Sequence, residues 1–109
     1  MTTKARILVV DDDPMVRRSC ERILGEAYAL TMADCGRAGL EALETAEPFD
    51  LALVDLKLPD IGGMEILRRA PDAFPDLPII VITGYSTIKS AVEAIKVGAT
   101  DYVAKPFTP

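Results

Sequence analysis

Short apolar segments rich in β-branched residues alternate along the chain with amphipathic segments. The apolar segments have the length and composition of β-strands, and they occupy residues 6–10, 28–33, 50–54, 78–83 and 100–104. In the stretches between them, apolar positions recur at helical spacing. Strands that are apolar on both faces and alternate with helices predict an open parallel sheet covered by helices on each side.

The apolar stripes of the helical segments define the faces that we expect to pack on the sheet. They consist of Val16, Cys20, Ile23, Leu24 and Ala27 in the first, Leu40, Leu43 and Ala46 in the second, Met64 and Leu67 in the third, and Ile88, Ala91, Val92 and Ile95 in the fourth. Gly25, Pro48 and Gly98 mark predicted helix ends. The third helix is predicted to be the shortest, because a proline-punctuated loop is expected from Ala70 to Pro78.

The fifth predicted strand is followed only by the sequence KPFTP. In an alternating α/β sheet a fifth helix normally follows such a strand, so the first helix is expected to lack a neighbour on its face of the sheet. A large exposed apolar patch on a soluble monomer usually marks an interface. We interpret residues 1–109 as one domain that is truncated before its last helix.

Composition and charge exclude several classes of protein. The net charge of −5 opposes direct binding of nucleic acid, which needs a basic surface. The absence of histidine excludes a Ser-His-Asp or Cys-His nucleophile and a His-ligated zinc. Cys20 and Cys35 are too few for a disulfide framework. No apolar run approaches the roughly eighteen residues of a membrane span, and no secretory signal pattern is present, so we expect a cytoplasmic protein.

Polar groups of complementary chemistry stand where the predicted strands end. Asp11, Asp12 and Asp13 follow the first strand, Asp55 the third, Thr83 the fourth and Lys105 the fifth. The carboxyl ends of parallel strands meet at one edge of a sheet, where ligands bind. Each residue alone has a structural explanation; Asp12 or Asp13, for example, could cap the first helix ahead of Pro14. Their joint occurrence favours a functional site.

The consecutive carboxylates favour a cation. Two unit charges about 4 Å apart oppose each other by roughly 4 kcal/mol at an effective dielectric near 20. Oxygen ligands without His or Cys select a hard cation, and Mg²⁺ is bound by carboxylates together with waters and phosphate oxygens. With Mg²⁺ present, a carboxylate can act as a nucleophile toward phosphorus. Thr83 and Lys105 would then stabilise the phosphoryl oxygens.

Four segments together resemble the receiver domain of two-component response regulators. They are ILVVDDDP, LALVDLKLPDIGGMEIL, PIIVITGYS and GATDYVAKPF, which match that family in order and spacing over essentially the whole chain. The TGYS and VGATDYVAKPF segments are most similar to receivers of bacterial enhancer-binding transcription activators. The resemblance implies a flavodoxin-like, doubly wound sheet of five parallel strands in the order 2-1-3-4-5.

The resemblance also implies a role for individual residues. Asp55 would be the phosphoacceptor, and Mg²⁺ would be bound by Asp11, Asp12, Asp55 and the main-chain carbonyl of Lys57. Asp13 would only start the first helix. Thr83 and Lys105 would contact the phosphoryl group, and Tyr102 would be the switch aromatic that moves inward together with Thr83. Lys105 and Pro106 would be joined by a cis peptide bond.

The partners that the resemblance implies lie outside this chain. A sensor histidine kinase would supply the phosphoryl group, and the chain would catalyse only its own phosphoryl uptake and hydrolysis. The output domain, an ATPase and DNA-binding unit in the enhancer-binding subfamily, would be regulated by the switch. The fourth helix and the fifth strand would form the surface for a homodimer. Neither nucleic acid nor a membrane would contact the domain directly.

Two other functions share part of this pattern. A receiver-like docking module would keep the acidic residues without being phosphorylated. A phosphatase of the haloacid dehalogenase type also carries a nucleophilic Asp in a D-x-D signature, and Asp11-x-Asp13 fits that signature. However, that class usually has additional chain for a substrate cap, and its motif normally continues into Thr or Val where this chain has Pro14 and Met15. A dinucleotide-binding fold is excluded because no G-x-G-x-x-G turn follows the first strand.

Overall fold

The computed structural model describes residues 4–44, 48–74, 76–84 and 88–105. Strands and helices alternate along these ranges. In chain order they are β1 (Arg6–Val10), α1 (Pro14–Leu24), β2 (Ala29–Ala33), α2 (Gly36–Leu43), β3 (Leu51–Asp55), α3 (Gly63–Ala73), β4 (Ile79–Gly84), α4 (Ile88–Val97) and β5 (Asp101–Lys105). Of the helices in these ranges, none combines the length and the apolar character that crossing a membrane requires.

All the strands are parallel and form one sheet with the order β2-β1-β3-β4-β5. Val10 of β1 pairs with Ala33 of β2 on one side and with Val54 of β3 on the other. Asp55 of β3 pairs in turn with Ile82 of β4. The predicted fold and strand order are confirmed, and each strand begins and ends within one residue of its predicted bounds.

Helices cover the two faces of the sheet unequally. The larger core cluster joins inward residues of β1, β3 and β4 to α2, α3 and α4, and it includes Leu8, Val10, Leu43, Val54, Ile66, Leu67, Val81 and Ala94. The smaller cluster joins Ile7 and Val9 of β1 to Cys20 and Val16 of α1. Three helices therefore pack on one face, whereas α1 is the helix that packs on the other within the described residues.

An open apolar groove of about 440 Å³ lies beside α1 on this second face. Its walls include Ile7 and Leu53 from the middle of the sheet, Ile80 from β4, Val103 from β5 and Cys20 from α1. The described residues contain four helices, and the groove lies beside α1, the helix that was expected to lack a neighbour. The expectation that the sheet is incompletely covered beside α1 agrees with this geometry.

Helix α3 is longer than predicted. It extends over 11 residues and continues through Pro71 to Ala73, whereas α2, with 8 residues, is the shortest helix that the structure describes. Proline removes one main-chain donor and is disfavoured inside a helix, which is why the sequence indicated a loop from Ala70. In this chain Phe74 and Leu77 pack against the core directly after the helix. The polypeptide therefore stays close to the sheet, and the predicted loop is reduced to its last few residues.

The apolar stripe predicted for α4 is wrong at two positions. Val92 and Ile95 are 49% and 40% exposed, whereas Ala94 is fully buried. The face of α4 that packs on the sheet therefore carries the small side chain of Ala94, and the larger Val92 and Ile95 are turned toward solvent. The side chains of Ile88 and Ala91, the other members of the stripe, lie outside the described part of the chain.

The glycines predicted to end two helices differ in conformation. Gly98 has a φ of 143° and ends α4, and the N–H groups of Gly98 and Ala99 both donate to the carbonyl of Ala94, at 3.0 and 2.9 Å. This left-handed residue confirms the prediction for α4. Gly25 has a φ of −63° and donates to the carbonyl of Glu21, so α1 ends without a left-handed residue.

Candidate functional site

Asp11 follows β1 directly and is held from several sides. Its side chain is fully buried. The main-chain N–H of Asp11 donates to the carbonyl of Ala33 at 3.0 Å, and its carbonyl accepts a hydrogen bond from Nη1 of Arg17 at 2.8 Å. The Oδ1 atom of its side chain accepts from the N–H of Asp13 at 2.9 Å. The end of β1 is therefore fixed relative to both β2 and α1.

Asp55 is the last residue of β3 and is 5% exposed. Because Val10 pairs with Val54 in adjacent parallel strands, Asp55 lies beside Asp11 at the same edge of the sheet. The Oδ1 atom of Asp55 accepts a hydrogen bond from the N–H of Lys57 at 3.1 Å. The turn that follows β3 thus orients the carboxylate of Asp55.

The structure brings Asp11, Asp12 and Asp55 together into one acidic cluster. One carboxylate oxygen from each residue lies within 4.8 Å of the others, and Asp12 is the exposed member. Close carboxylates repel one another, and this repulsion is relieved when a divalent cation lies between them. The ligand atoms are all carboxylate oxygens, which is the donor set that Mg²⁺ and Ca²⁺ prefer. The residues present therefore fit a hard divalent cation.

Asp13 has a different position from its two neighbours in sequence. It is the N-cap of α1, and its Oδ1 atom accepts a hydrogen bond from the N–H of Met15 at 2.9 Å, with Pro14 in the first turn. The expectation that Asp13 starts the first helix is thereby confirmed. The D-x-D arrangement of Asp11 and Asp13 consequently contributes one carboxylate to the acidic cluster, since Asp13 is used for capping.

The main chains of two further predicted site residues, Thr83 and Lys105, lie at the same edge of the sheet. Thr83 in β4 pairs with Ala104, and Gly84 pairs with Lys105 at the end of β5. The side chains of Thr83 and Lys105, and Pro106 as a whole, lie outside the described residues. Tyr102, the predicted switch aromatic, lies within β5 and pairs with Val81 of β4. Its side chain is 44% exposed.

The loop between β3 and α3 is closed at its base by a close main-chain approach. The N–H of Gly63 donates to the carbonyl of Leu56 at 3.1 Å. A Cβ added at Gly63 would lie 2.2 Å from the carbonyl oxygen of Asp55. Only glycine fits there, so the start of α3 rests directly on the end of β3. The loop carries Lys57, whose main-chain carbonyl is one of the expected cation ligands.

Two residues with contacts at this edge of the sheet, Arg17 and Asp60, were not among the predicted site residues. Arg17 donates from Nη1 to the carbonyl of Asp11. Asp60, in the loop after β3, accepts hydrogen bonds from the N–H groups of Gly36 and Arg37 at the start of α2, at 2.8 and 2.9 Å. These main-chain donors, that of Arg37 above all, hold the pKa of the Asp60 carboxyl well below its usual range. The sequence signal that could have revealed Asp60 is the weak local cap of α2, Cys35.

Comparison with known proteins gives one consistent result. The family described as the response regulator receiver domain matches residues 7–109. The photosynthetic apparatus regulatory protein RegA of Rhodovulum sulfidophilum is 42% identical over 101 residues, which cover 92% of this chain and 55% of that protein. This chain therefore spans about half the length of that curated relative.

Solved structures agree with the sequence matches. A CheY-like response regulator receiver domain protein from Methanospirillum hungatei JF-1 has a TM-score of 0.89 at 39% identity, covering 98% of this chain and 86% of that chain. A response regulator protein from Burkholderia pseudomallei, crystallised with a phosphorylated aspartic acid, a calcium ion and citrate, has a TM-score of 0.85 at 35% identity, covering 96% and 62%. The chain belongs to the response regulator receiver domains, the phosphoacceptor signalling domains of two-component systems.

Proposed function

We propose that Asp55 accepts a phosphoryl group from the phosphohistidine of a sensor histidine kinase in the cytoplasm, and that the chain then changes conformation to regulate an output domain. The observation that carries this proposal is the acidic cluster, in which the nearly buried carboxylate of Asp55 lies within 4.8 Å of carboxylates of Asp11 and Asp12. The phosphorylated aspartic acid and the calcium ion of the Burkholderia pseudomallei relative support the same chemistry.

The proposed cofactor is Mg²⁺, held by the carboxylates of Asp11, Asp12 and Asp55 and by the main-chain carbonyl of Lys57. When bound, the cation neutralises negative charge on the carboxylate and on the incoming phosphoryl oxygens. Without that charge, the anionic cluster would repel a phosphoryl donor. The open carboxyl edge of the sheet leaves the exposed Asp12 accessible to solvent and to a partner protein.

In the proposed step, a carboxylate oxygen of Asp55 attacks the phosphorus atom. An O–P bond forms, the P–N bond of the phosphohistidine breaks, and the imidazole nitrogen keeps the electron pair and takes a proton from solvent. The N–H of Lys57 orients Asp55 through its hydrogen bond to Oδ1. Thr83 and Lys105, whose main chains stand at the same edge, would bind the phosphoryl oxygens. In hydrolysis of the product, a water oxygen would attack the same phosphorus atom and lose a proton to solvent, the bond from phosphorus to the Asp55 oxygen would break, and inorganic phosphate would leave.

The proposed switch connects this edge to the surface of α4 and β5. Thr83 would move toward the phosphoryl group, and Tyr102 would turn inward into the vacated space. In the present structure Tyr102 on β5 is exposed, as are Val92 and Ile95 on α4. Burial of such apolar side chains favours association. This surface would pair with a second copy of the chain or release an output domain.

The proposed context is a longer protein. The apolar groove beside α1 would be covered by a further helix, and residues 1–109 would be the receiver part of a transcription activator of the enhancer-binding kind. The output domain would contain the ATPase and DNA-binding functions. This proposal is supported by the apolar lining of the groove and by the greater length of relatives such as RegA.

The proposal is tested by phosphorylation with a small-molecule donor. Purified chain is incubated with acetyl phosphate with and without Mg²⁺, and the intact mass is measured. We expect a gain of one phosphoryl group that requires Mg²⁺ and is lost in Asp55→Asn, which keeps the size of the side chain. Asp50→Asn, at the opposite edge of the sheet, is the matched control and should be phosphorylated normally.

Two results of this experiment would refute the proposal or its assignment of the phosphoacceptor. An unchanged mass for the wild-type protein, despite measurable Mg²⁺ binding, would refute the proposal in favour of a docking module that is not phosphorylated. A phosphoryl group retained by Asp55→Asn would refute the assignment of the phosphoacceptor.

A further inference from the structure

The carboxylate of Asp60 joins two loops at the edge of the sheet that carries the acidic cluster. Its Oδ1 atom accepts from the N–H of Gly36 at 2.8 Å, and its Oδ2 atom accepts from the N–H of Arg37 at 2.9 Å. Gly36 and Arg37 are the first residues of α2, whereas Asp60 lies in the loop between β3 and α3. The first N–H groups of a helix have no partner within the helix. Asp60 therefore caps α2 from a segment that is distant in sequence.

The local N-cap residue of α2 is a weak hydrogen-bond acceptor. Cys35 is the N-cap residue, and its Sγ atom accepts from the N–H of Ala38 at 3.4 Å. Sulfur is a weak acceptor, whereas Ser, Thr, Asp and Asn are the preferred caps. A carboxylate at this end of a helix also interacts favourably with the helix dipole. Asp60 thus supplies the charged acceptor that Cys35 does not.

The loop that carries Asp60 is held at both its base and its tip. The base is closed by the hydrogen bond from Gly63 to Leu56 and by the contact of Gly63 with the main chain of Asp55. The tip is held by the two hydrogen bonds of Asp60 to α2. Lys57 lies between these attachments, and its N–H donates to Asp55. The main chain at Lys57 therefore lies between two fixed points of the loop, next to Asp55.

We propose that Asp60 is a positioning residue for divalent-cation binding, because it fixes the loop at residues 56–62 against the start of α2 and thereby places the Lys57 carbonyl beside the acidic cluster. Asp60 does not touch the cation in this scheme; it acts through the loop. The inference rests on the proposed function, since it takes the acidic cluster to be a cation site.

The direct test is the affinity for Mg²⁺, measured by titration calorimetry or by the amide signals in an NMR titration. Supporting residues behind a metal ligand typically change affinity by about 10- to 100-fold when they are removed. Because Asp60 acts through a short loop, we expect the low end of that range, about tenfold weaker binding in Asp60→Ala. Asp60→Asn keeps one acceptor oxygen and should bind with intermediate affinity. Faster hydrogen exchange at the amides of Gly36 and Arg37 should accompany both changes.

Asp50 provides a matched control for the loss of a long-range hydrogen bond. It is an exposed carboxylate whose Oδ2 atom accepts from the N–H of Arg6 at 2.8 Å, at the amino end of the sheet. Asp50→Ala removes a bond of the same kind and should lower stability without weakening Mg²⁺ binding. Wild-type affinity in Asp60→Ala would overturn the inference. An equal loss of affinity in Asp50→Ala would also overturn it, since general destabilisation would then explain both.

The experiment separates this inference from the proposed function. If the wild-type protein binds Mg²⁺ but takes up no phosphoryl group, the proposed function fails, whereas a tenfold loss of affinity in Asp60→Ala still supports the positioning role. If the wild-type protein binds no Mg²⁺ at millimolar concentrations, both are overturned.

Discussion

At Gly63 the main chain of α3 approaches the end of β3 so closely that a side chain has no room. An added Cβ would lie 2.2 Å from the carbonyl oxygen of Asp55 and 2.7 Å from Cα of Leu56. Both obstacles belong to the main chain and cannot rotate away. We expect Gly63→Ala to lower the free energy of unfolding by about 1–3 kcal/mol, the range for overpacking, as measured by urea denaturation.

Gly62 is the matched control for this substitution. The nearest atom to a Cβ at Gly62 is the carbonyl oxygen of Leu56, at 3.9 Å. We expect Gly62→Ala to change the free energy of unfolding by less than about 0.5 kcal/mol. Similar losses in the two variants would show that the close approach at Gly63 is not the cause.

The Asp60 carboxyl should make stability depend on pH in acid. Hydrogen bonds from the N–H of Arg37 and other main-chain donors lower its pKa in the folded state. The unfolded chain, with a pKa of about 3.9, therefore binds the proton more strongly. The contribution of Asp60 is present above that pKa and is lost as the pH falls through the lower, folded value.

The variant Asp60→Asn isolates this contribution. We expect the difference in free energy of unfolding between the wild type and Asp60→Asn to be constant from pH 7 to about pH 5 and to shrink below about pH 4. Urea denaturation at a series of pH values measures it. A difference that remains constant down to pH 3 would contradict a lowered pKa.

A capping residue is easier to predict when its partner is close in sequence than when its partner is distant. Asp13 was predicted to start α1, and its side chain accepts from Met15, two residues away. Asp60 accepts from donors 24 and 23 residues earlier in the chain. The weak local cap Cys35 indicates only that α2 needs another acceptor. It does not identify Asp60, because only the folded sheet brings the loop after β3 to the start of α2. The acidic cluster was predictable because strand direction alone places its members at one edge.

At the scale of the helices, two isoleucines test which faces are buried. Ile66 on α3 is 1% exposed, whereas Ile95 on α4 is 40% exposed. We expect Ile66→Ala to lower the free energy of unfolding by about 2–5 kcal/mol, because it leaves a cavity. The same change at Ile95 should cost less than about 1 kcal/mol. Urea denaturation of both variants measures the contrast, and equal losses would contradict the observed orientation of α4.

The strands were more predictable than the helix faces for a physical reason. A buried parallel strand is apolar on both faces, so it is recognised without knowing its orientation. Helix α4 carries apolar residues on more than one side. The helical spacing of its larger apolar residues predicted that Val92 and Ile95 would be buried. In the structure the smaller Ala94 is the buried residue. The order of the strands is also absent from the periodic pattern, and it was predicted from the resemblance to receiver domains.

At the scale of the whole molecule, the apolar groove beside α1 should bind a hydrophobic dye in the folded state. Val103 lines this groove and is 40% exposed, whereas Val92 is 49% exposed on α4 and does not line it. We expect the dye ANS to fluoresce with the native chain and Val103→Glu to reduce the signal. Val92→Glu adds the same charge elsewhere and should leave the signal unchanged. An equal reduction in both variants would place the dye outside the groove.

The acidic cluster forms only when β1 pairs with β3. Asp11 and Asp55 lie at the carboxyl ends of adjacent strands, but α1, β2 and α2 separate them in sequence. An unfolded chain, or one in which β1 has not yet paired with β3, cannot bring these carboxylates together. A cation at the cluster would therefore bind the native state alone. Each tenfold rise in its concentration above the Kd would then add about 1.4 kcal/mol to the free energy of unfolding. A cation bound at the cluster would thus stabilise the folded domain whether or not the domain is phosphorylated.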